Sequence, residues 1–353
     1  MNSYAIGNSD DNIRLALDFL VKTQNEDGGW GYKVGGQSFT EATAMALLAL
    51  FHPIGGGKSN PSPVYAESIQ KGLLRLRSDN HSDGGWGIFK DDPFSSWHGF
   101  LATWVFNVLL KVPELVTLYS RPEDPDIRNR ARGWILSKGR EPRSSDKDAV
   151  IIKKLFSIDG KIIGFKWGPN SEEAGFVMPT AMAIIALTVE DRLVVADSDV
   201  VRESKAYLRN RACPVGGWNI GNPFAYDKQL PPTPDGTSYG LLAFAISLSS
   251  SDFGQTTEVL AAVSTLADFV DSSNSDQTVA LGTLALRFFP DVGNNTQDKL
   301  NAFYNKLRSG RATKDDKPKT TGQTKDGGWA NSPFATSLAV LALSDNLYFF
   351  DPK

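Results

Sequence analysis

Apolar residues fall into two kinds of segment along this chain. In the first kind they recur at helical spacing on one face: Ile13, Leu17 and Leu20 within Asn12–Thr23, and Tyr207 and Leu208 within the charged run Glu203–Asn210. That pattern predicts amphipathic helices with one buried face. In the second kind the segment is apolar nearly all round, as in Thr40–Phe51 (TEATAMALLALF). A helix of that sort is buried on every side. Its string from Thr43 returns as Thr180–Leu187, Thr237–Phe244 and Thr336–Leu343, more loosely as Thr278–Leu286, and in aromatic form as Trp97–Trp104.

Glycine–tryptophan turns join the two kinds: Gly28-Gly29-Trp30, Gly84-Gly85-Trp86, Gly216-Gly217-Trp218, Gly327-Gly328-Trp329 and a weaker Phe165-Lys166-Trp167. Glycine takes positive φ at a helix end without strain, so each turn stops one helix and starts the next. The tryptophans are separated by 56, 81, 51 and 111 residues, the last gap about twice the first, which places one more unit between Trp218 and Trp329. Six units of about 59 residues fill residues 1–353, with insertions near 139–164, 219–234 and 308–325. A fixed repeat dictates architecture. Six helical hairpins with a wholly apolar inner set predict an all-α fold, one (α/α)6 toroid. An open solenoid would carry polar capping repeats, and the first and last inner helices are as apolar as the rest.

The chain has 353 residues, 41% hydrophobic and 22% charged, with formal net charge −3. Such a balance offers no basic face for nucleic acid. Cys213 is the single cysteine, so no intramolecular disulfide forms, and three scattered histidines give no metal-ligand spacing. With no signal peptide or membrane span in the sequence, the expected location is cytoplasmic, with a peripheral membrane contact left open. The sequence places no serine and aspartate beside a histidine.

Unit one carries Phe19, Leu20, Gln24, Gly28 and Trp30, and unit four keeps Tyr207, Leu208, Gly216 and Trp218 with Ala212 in the Gln position. This resembles the QW repeat of the squalene–hopene and oxidosqualene cyclases, in the superfamily that includes class II diterpene cyclases and protein prenyltransferase β-subunits. The resemblance spans the chain and implies a fold rather than an activity.

Two residues before the recurring Thr stand Glu41, Asp235 and Asp276, with Met178 and Phe334 in the other units. Helix N-capping accounts for such carboxylates. The alternative reading starts from Thr233-Pro-Asp235-Gly-Thr237, similar to the Asp-x-Asp-Asp-Thr string whose middle Asp protonates an alkene or epoxide in class II cyclases. On that resemblance Asp235 is the proton donor, Thr237 orients it, and Glu41 or Asp276 substitutes for the missing carboxylates. An acid that protonates an alkene must stay neutral near pH 7, so burial or a like charge must raise its pKa. A carbocation also needs an aromatic lining, and Trp97, Phe100, Trp104, Tyr239 and Phe244 are the candidates on inner helices.

The expected function is protonation-initiated cyclisation of a linear isoprenoid in an apolar lumen, without a metal. Magnesium would enter only with a diphosphate head group, held by the helix N-termini and by Lys138, Arg140, Arg143, Lys314, Lys317, Lys319 and Lys325. The alternatives are a non-catalytic toroid that binds an isoprenoid or a protein, and a carbohydrate-active enzyme using paired carboxylates. The oligomeric state is not readable.

Overall fold

The computed structural model describes residues 7–55, 63–138, 154, 164–165, 175–188, 199–247, 257–290, 292, 296–308 and 322–344. Thirteen helices fall among them: α1 Gly7–Lys22, α2 Thr40–Gly55, α3 Pro63–Ser78, α4 Gly99–Lys111, α5 Pro113–Tyr119, α6 Asp124–Lys138, α7 Val177–Thr188, α8 Asp199–Asn210, α9 Pro234–Ser247, α10 Thr257–Ser272, α11 Asp276–Leu286, α12 Thr296–Arg308 and α13 Pro333–Leu343. One two-residue hairpin, β1 Phe224–Ala225 with β2 Lys228–Gln229, lies in the loop before α9.

The apolar helices pack in sequence, α2 on α4, α4 on α7, α7 on α9, α9 on α11 and α11 on α13, and α13 returns to pack on α2. The six inner helices therefore close into a ring, and the fold is an (α/α)6 toroid. The amphipathic helices α1, α3, α6, α8, α10 and α12 form the outer layer, each packed on inner helices. The short α5 follows α4 after a bend of 100° and is an addition to the hairpin pattern. Among the described residues no single helix is long and apolar enough to cross a membrane.

Each Gly-Trp turn works through two ties. The indole N–H donates to the last turn of the preceding outer helix: Trp30 to Leu20 O at 2.8 Å, Trp86 to Leu76 O at 2.7 Å, Trp218 to Leu208 O at 2.7 Å and Trp329 to Leu307 O at 3.1 Å. Those carbonyls have no partner within their own helix. The Trp backbone N–H then donates to the recurring inner-helix threonine: Trp30 to Thr43, Trp218 to Thr237 and Trp329 to Thr336, each within 3.1 Å. Phe165 N–H reaches Thr180 in the same way at 2.8 Å. Trp167 lies outside the described residues. In α4 the threonine is Gly99, where a Cβ would sit 3.0 Å from Trp86 N.

Glutamine ties neighbouring units. Gln24 Nε2 donates to Gly28 O and to Ser68 O of α3. Gln323 does the same at the seam, donating to Gly327 O and back to Asn12 O of α1. The first and last units are also joined by Val34 N–H to Asn331 O. Gly28 shows why glycine is required: its φ is +82°, and a Cβ there would lie 2.6 Å from Lys71 O.

Candidate functional site

The threonine ties fix the rotation of each inner helix. At about 100° per residue, the position seven after the Thr lies on its own face, and those two before, two after and five after lie on the opposite face. The outer face holds Phe106 and Phe244, which stack on Trp86 and Trp218 at 5.9 and 5.7 Å. Arg209 of α8 also lies over Phe244. Phe244 is thus a packing residue between layers, not a lining residue. Phe100 likewise packs on Trp134 of the outer layer and on Phe165, at 5.6 and 5.5 Å.

The opposite face points at the ring axis. Two residues after the Thr stand Met45, Leu101, Met182, Tyr239 and Leu338, and five after stand Leu48, Trp104, Ile185, Leu242 and Leu341. Each is at most 4% exposed. Apolar side chains therefore fill the axis at these two levels, where the sequence predicted an open lumen. Trp104 belongs to this filling.

Above it, at the mouth, two carboxyl groups meet. Glu41 lies in the first turn of α2 and Asp235 in the first turn of α9. These helices are three steps apart round a ring of six, so the acids come from opposite walls. Glu41 is only 6% exposed. Burial pushes its carboxyl up to about 7, against a hydrogen bond from Tyr32 that lowers it and with the repulsion of Asp235 adding to the rise. Asp235 is half-buried and is also raised, by burial. It accepts no hydrogen bond among the described residues. Burial, then Glu41, Asp235 and Tyr32, push the Tyr239 phenol well above its ordinary value.

Tyr32 was not anticipated from the sequence. Its hydroxyl donates to Glu41 Oε2, and its ring is held by Phe39 at 4.8 Å and by Phe334 of α13 at 5.3 Å. The one clue in sequence is its place two residues after Trp30.

Three expectations are corrected here. Asp235 does not cap α9, because Gly236 N–H goes to Thr233 Oγ1. Thr237 does not orient Asp235, because its hydroxyl accepts from Trp218 N at 3.1 Å and donates to Trp218 O at 3.2 Å. Asp276 does not share the station of Glu41 and Asp235. The residue whose N–H bonds the cap carbonyl is Thr43, Thr180, Thr237 or Thr336 elsewhere, but Val279 in α11, not Thr278. Gln277 is thus the counterpart of Asp235, and Asp276, one residue earlier, accepts the Gly322 N–H at 2.8 Å.

Thr237→Val is expected to cost about 1–2 kcal/mol by leaving the buried Trp218 N–H unpaired, with the Glu41 titration unmoved. Denaturant melts and a carboxyl NMR titration read the two effects. Unchanged stability would refute the tie, and a displaced Glu41 titration would restore an orienting role.

Trp97 is buried in the turn before α4, with its indole 4.0 Å from the His98 ring. Burial lowers His98 to about 4, with Asp92 acting the other way. The structure also brings a serine and an aspartate to a histidine. Ser95 Oγ donates to Asp83 at 2.7 Å and contacts His81 Nδ1 at 2.9 Å. Unit one repeats this with Asn25 in place of histidine: Asn25 Nδ2 donates to Ser38 Oγ, which donates to Asp27. An arrangement that works equally with asparagine fixes a turn. Its serine proton points at a carboxylate rather than at a base.

Among the described residues no group of three or more His, Cys, Asp or Glu could hold a metal. The rim cations Arg140, Arg143, Lys314, Lys317 and Lys319 lie outside the described residues.

A toroid with carboxyl groups at its mouth can be compared with known proteins. The type II terpene cyclase MstE from Scytonema superposes with a TM-score of 0.53 at 13% identity, covering 96% of this chain and 98% of its own. The two share the (α/α)6 toroid fold. MstE has been seen with geranylgeranyl dihydroxybenzoate as substrate and merosterolic acid A as product. The α-1,6-mannanase GH76A of Salegentibacter sp. HEL1_6 shares the toroid, with a TM-score of 0.60 at 10% identity over 95% of this chain and 98% of its own. In sequence, 145 residues are 41% identical to lanosterol synthase ERG7 of Saccharomyces cerevisiae, a stretch covering 41% of this chain and 18% of that enzyme. No protein-family model matches the chain.

Proposed function

We propose that the mouth of the toroid is a proton-transfer site for an isoprenoid, and that Glu41 with Asp235 starts a class II cyclisation. The observation that carries this reading is the desolvated acid pair set over a hydrocarbon floor. Glu41 keeps its proton to about pH 7, the state a proton donor to an alkene requires. Beneath it Met45, Met182, Leu338 and Leu48 offer no hydrogen bond to a polar substrate, and the Tyr239 ring gives a cation a π face. The substrate sits across the mouth, since the axis below is filled. This reading places the donor at Glu41 and makes Asp235 the second carboxyl of the pair. Only the pair has assignable titration steps, because two coupled acids share their protons. The terpene cyclase toroid and the lanosterol synthase stretch support an isoprenoid. If the head group is a diphosphate, magnesium accompanies the substrate.

The test is incubation of the purified protein with geranylgeranyl diphosphate, farnesyl diphosphate and squalene, with Glu41→Gln and Asp235→Asn alongside. A cyclised isomer from the unaltered protein is expected, with about 10²–10⁴-fold less from Glu41→Gln. Equal product from both would remove Glu41 from the reaction.

A second reading rests on the same two carboxyls facing each other from opposite walls, the arrangement a glycosidase uses, and on the mannanase toroids. Release of reducing sugar from α-1,6-mannan would decide for it. The apolar floor weighs against it.

A further inference from the structure

We infer that Tyr32 is the positioning residue of the proton donor: by occupying Glu41 Oε2 it confines the transferable proton to Oε1 and steadies the carboxylate left after transfer. This rests on the reading of Glu41 as donor and adds to it a residue outside the inner helices.

Tyr32 is carried by the loop after the first Gly-Trp turn, and that loop is fixed at several points. Phe39 N–H donates to Trp30 O, Gly36 N–H to Lys33 O, and Val34 N–H to Asn331 O across the seam between the first and last units. Phe39 and Phe334 press on the ring from two sides. The phenol is therefore aimed at α2 by both ends of the chain. The Tyr32 hydroxyl donates to Oε2, so while that bond is kept the proton of neutral Glu41 resides on the other oxygen. Among the described residues that oxygen has no hydrogen-bond partner. On transfer the Oε1–H bond breaks and a C–H bond forms at the alkene. The O–H electron pair stays on Glu41, and the positive charge passes to the substrate carbon. The Tyr32 bond then becomes charge-assisted and strengthens. An interaction stronger after transfer than before it accelerates the step.

The groups facing Tyr32 are Glu41 from α2 and Tyr239 from α9, while α13 presents the uncharged Phe334 and Asp235 acts on Glu41 and Tyr239. Lys33, next in the loop, is exposed. Removing the phenol therefore changes the Glu41 titration directly. Since the bond from Tyr32 lowers the Glu41 pKa, its loss must raise it.

The experiment uses the full chain as Tyr32→Phe, and with 3-fluorotyrosine at position 32, whose phenol is a stronger donor. Glu41 is followed by NMR of carboxyl-labelled protein, and turnover of the isoprenoid accepted by the unaltered protein is followed against pH. Tyr32→Phe is expected to lower kcat about 10-fold with KM within about twofold, while the alkaline limb of the rate profile moves up by about one pH unit. The fluorinated protein should move that limb down. A purely structural role would not shift the limb in opposite directions. If turnover is present and neither variant moves the Glu41 titration, the inference on Tyr32 is overturned. If no variant or parent turns over but the titration moves as stated, the positioning stands and the isoprenoid reading is what has failed.

Discussion

Truncating Trp218 to Ala is expected to cost the fold about 3–5 kcal/mol, the largest effect of any single side chain at a turn. Trp218 is fully buried. It stacks on Phe244, and its ring is so close to Gly240 that a Cβ there would meet it at 2.6 Å. Removing the ring opens a void that two rigid helices cannot collapse into, which is the condition for a cost at the upper end of the range. Leu208 O, at the end of α8, also loses the indole N–H and keeps only the Arg211 N–H at 3.1 Å. Trp218→Phe keeps much of the stacking surface but not the N–H, and should fall between Ala and the native residue. Denaturant melts with an unchanged slope would report these as shifts of the midpoint. A cost below about 1 kcal/mol for Trp218→Ala would mean that the turn is not what holds unit four together. Thr237, two residues after Asp235, is tied to the Trp218 backbone, which Trp218→Ala keeps, so the cost should fall on the fold and not on the acid pair.

The recurrence of such turns explains which parts of the molecule could be read from sequence. The toroid was legible because its determinants are local and repeated: glycines at positive φ, a tryptophan that in three of the four turns lies ten residues after the carbonyl it binds, and inner helices with no polar face. The acids Glu41 and Asp235 were legible as positions, because the threonine that registers them is a real structural constant. The same threonine misled at Thr278. A threonine one residue before the true register point looks identical in sequence, and only the hydrogen bond from Val279 to the Ser275 cap separates them. Thr237 misled for the opposite reason, since its recurrence reflects a tie to the Trp backbone and not chemistry. The aromatic candidates were sorted wrongly where rotation mattered: Phe244 and Phe100 face the outer layer, and Trp104 fills the axis. Tyr32 was invisible because its meaning depends on a loop, on Phe334 from the far end of the chain, and on Glu41. Residues linked only through ring closure leave no local pattern.

Glu41→Gln is expected to stabilise the protein at pH 8 by up to about 3 kcal/mol and to leave it unchanged near pH 4. Glu41 in the fold titrates near 7, against 4.5 for an unperturbed glutamate. Below about pH 4.5 it is protonated in both folded and unfolded chains, and its burial carries no charge penalty. Between 4.5 and 7 the unfolded chain releases the proton while the folded one keeps it, so stability falls with rising pH. Above 7 both are ionised, and the folded state bears the whole cost of a charge buried beside Asp235, at about 1.4 kcal/mol for each pH unit between the two values. Glutamine fills the same space, still accepts from Tyr32, and never ionises. Asp235, raised by burial, slopes the same way. Burial of Asp27 works upward, but Gly29, Ser38 and Arg75 pull it below the usual carboxylate range, so it titrates under this window and does not mask it. Melts of native and Glu41→Gln protein at pH 4, 6 and 8 would show the two curves diverging as pH rises. His98, held at about 4 by burial, makes stability rise with pH over much of this window and so opposes Glu41. The difference between the two proteins is therefore the readout, and a variant no more stable at pH 8 would mean that Glu41 is ordinarily ionised in the fold. The stability lost on ionising Glu41 is the same free energy that holds its proton in place, so a protein relieved of that cost has also lost the acid proposed to do its chemistry.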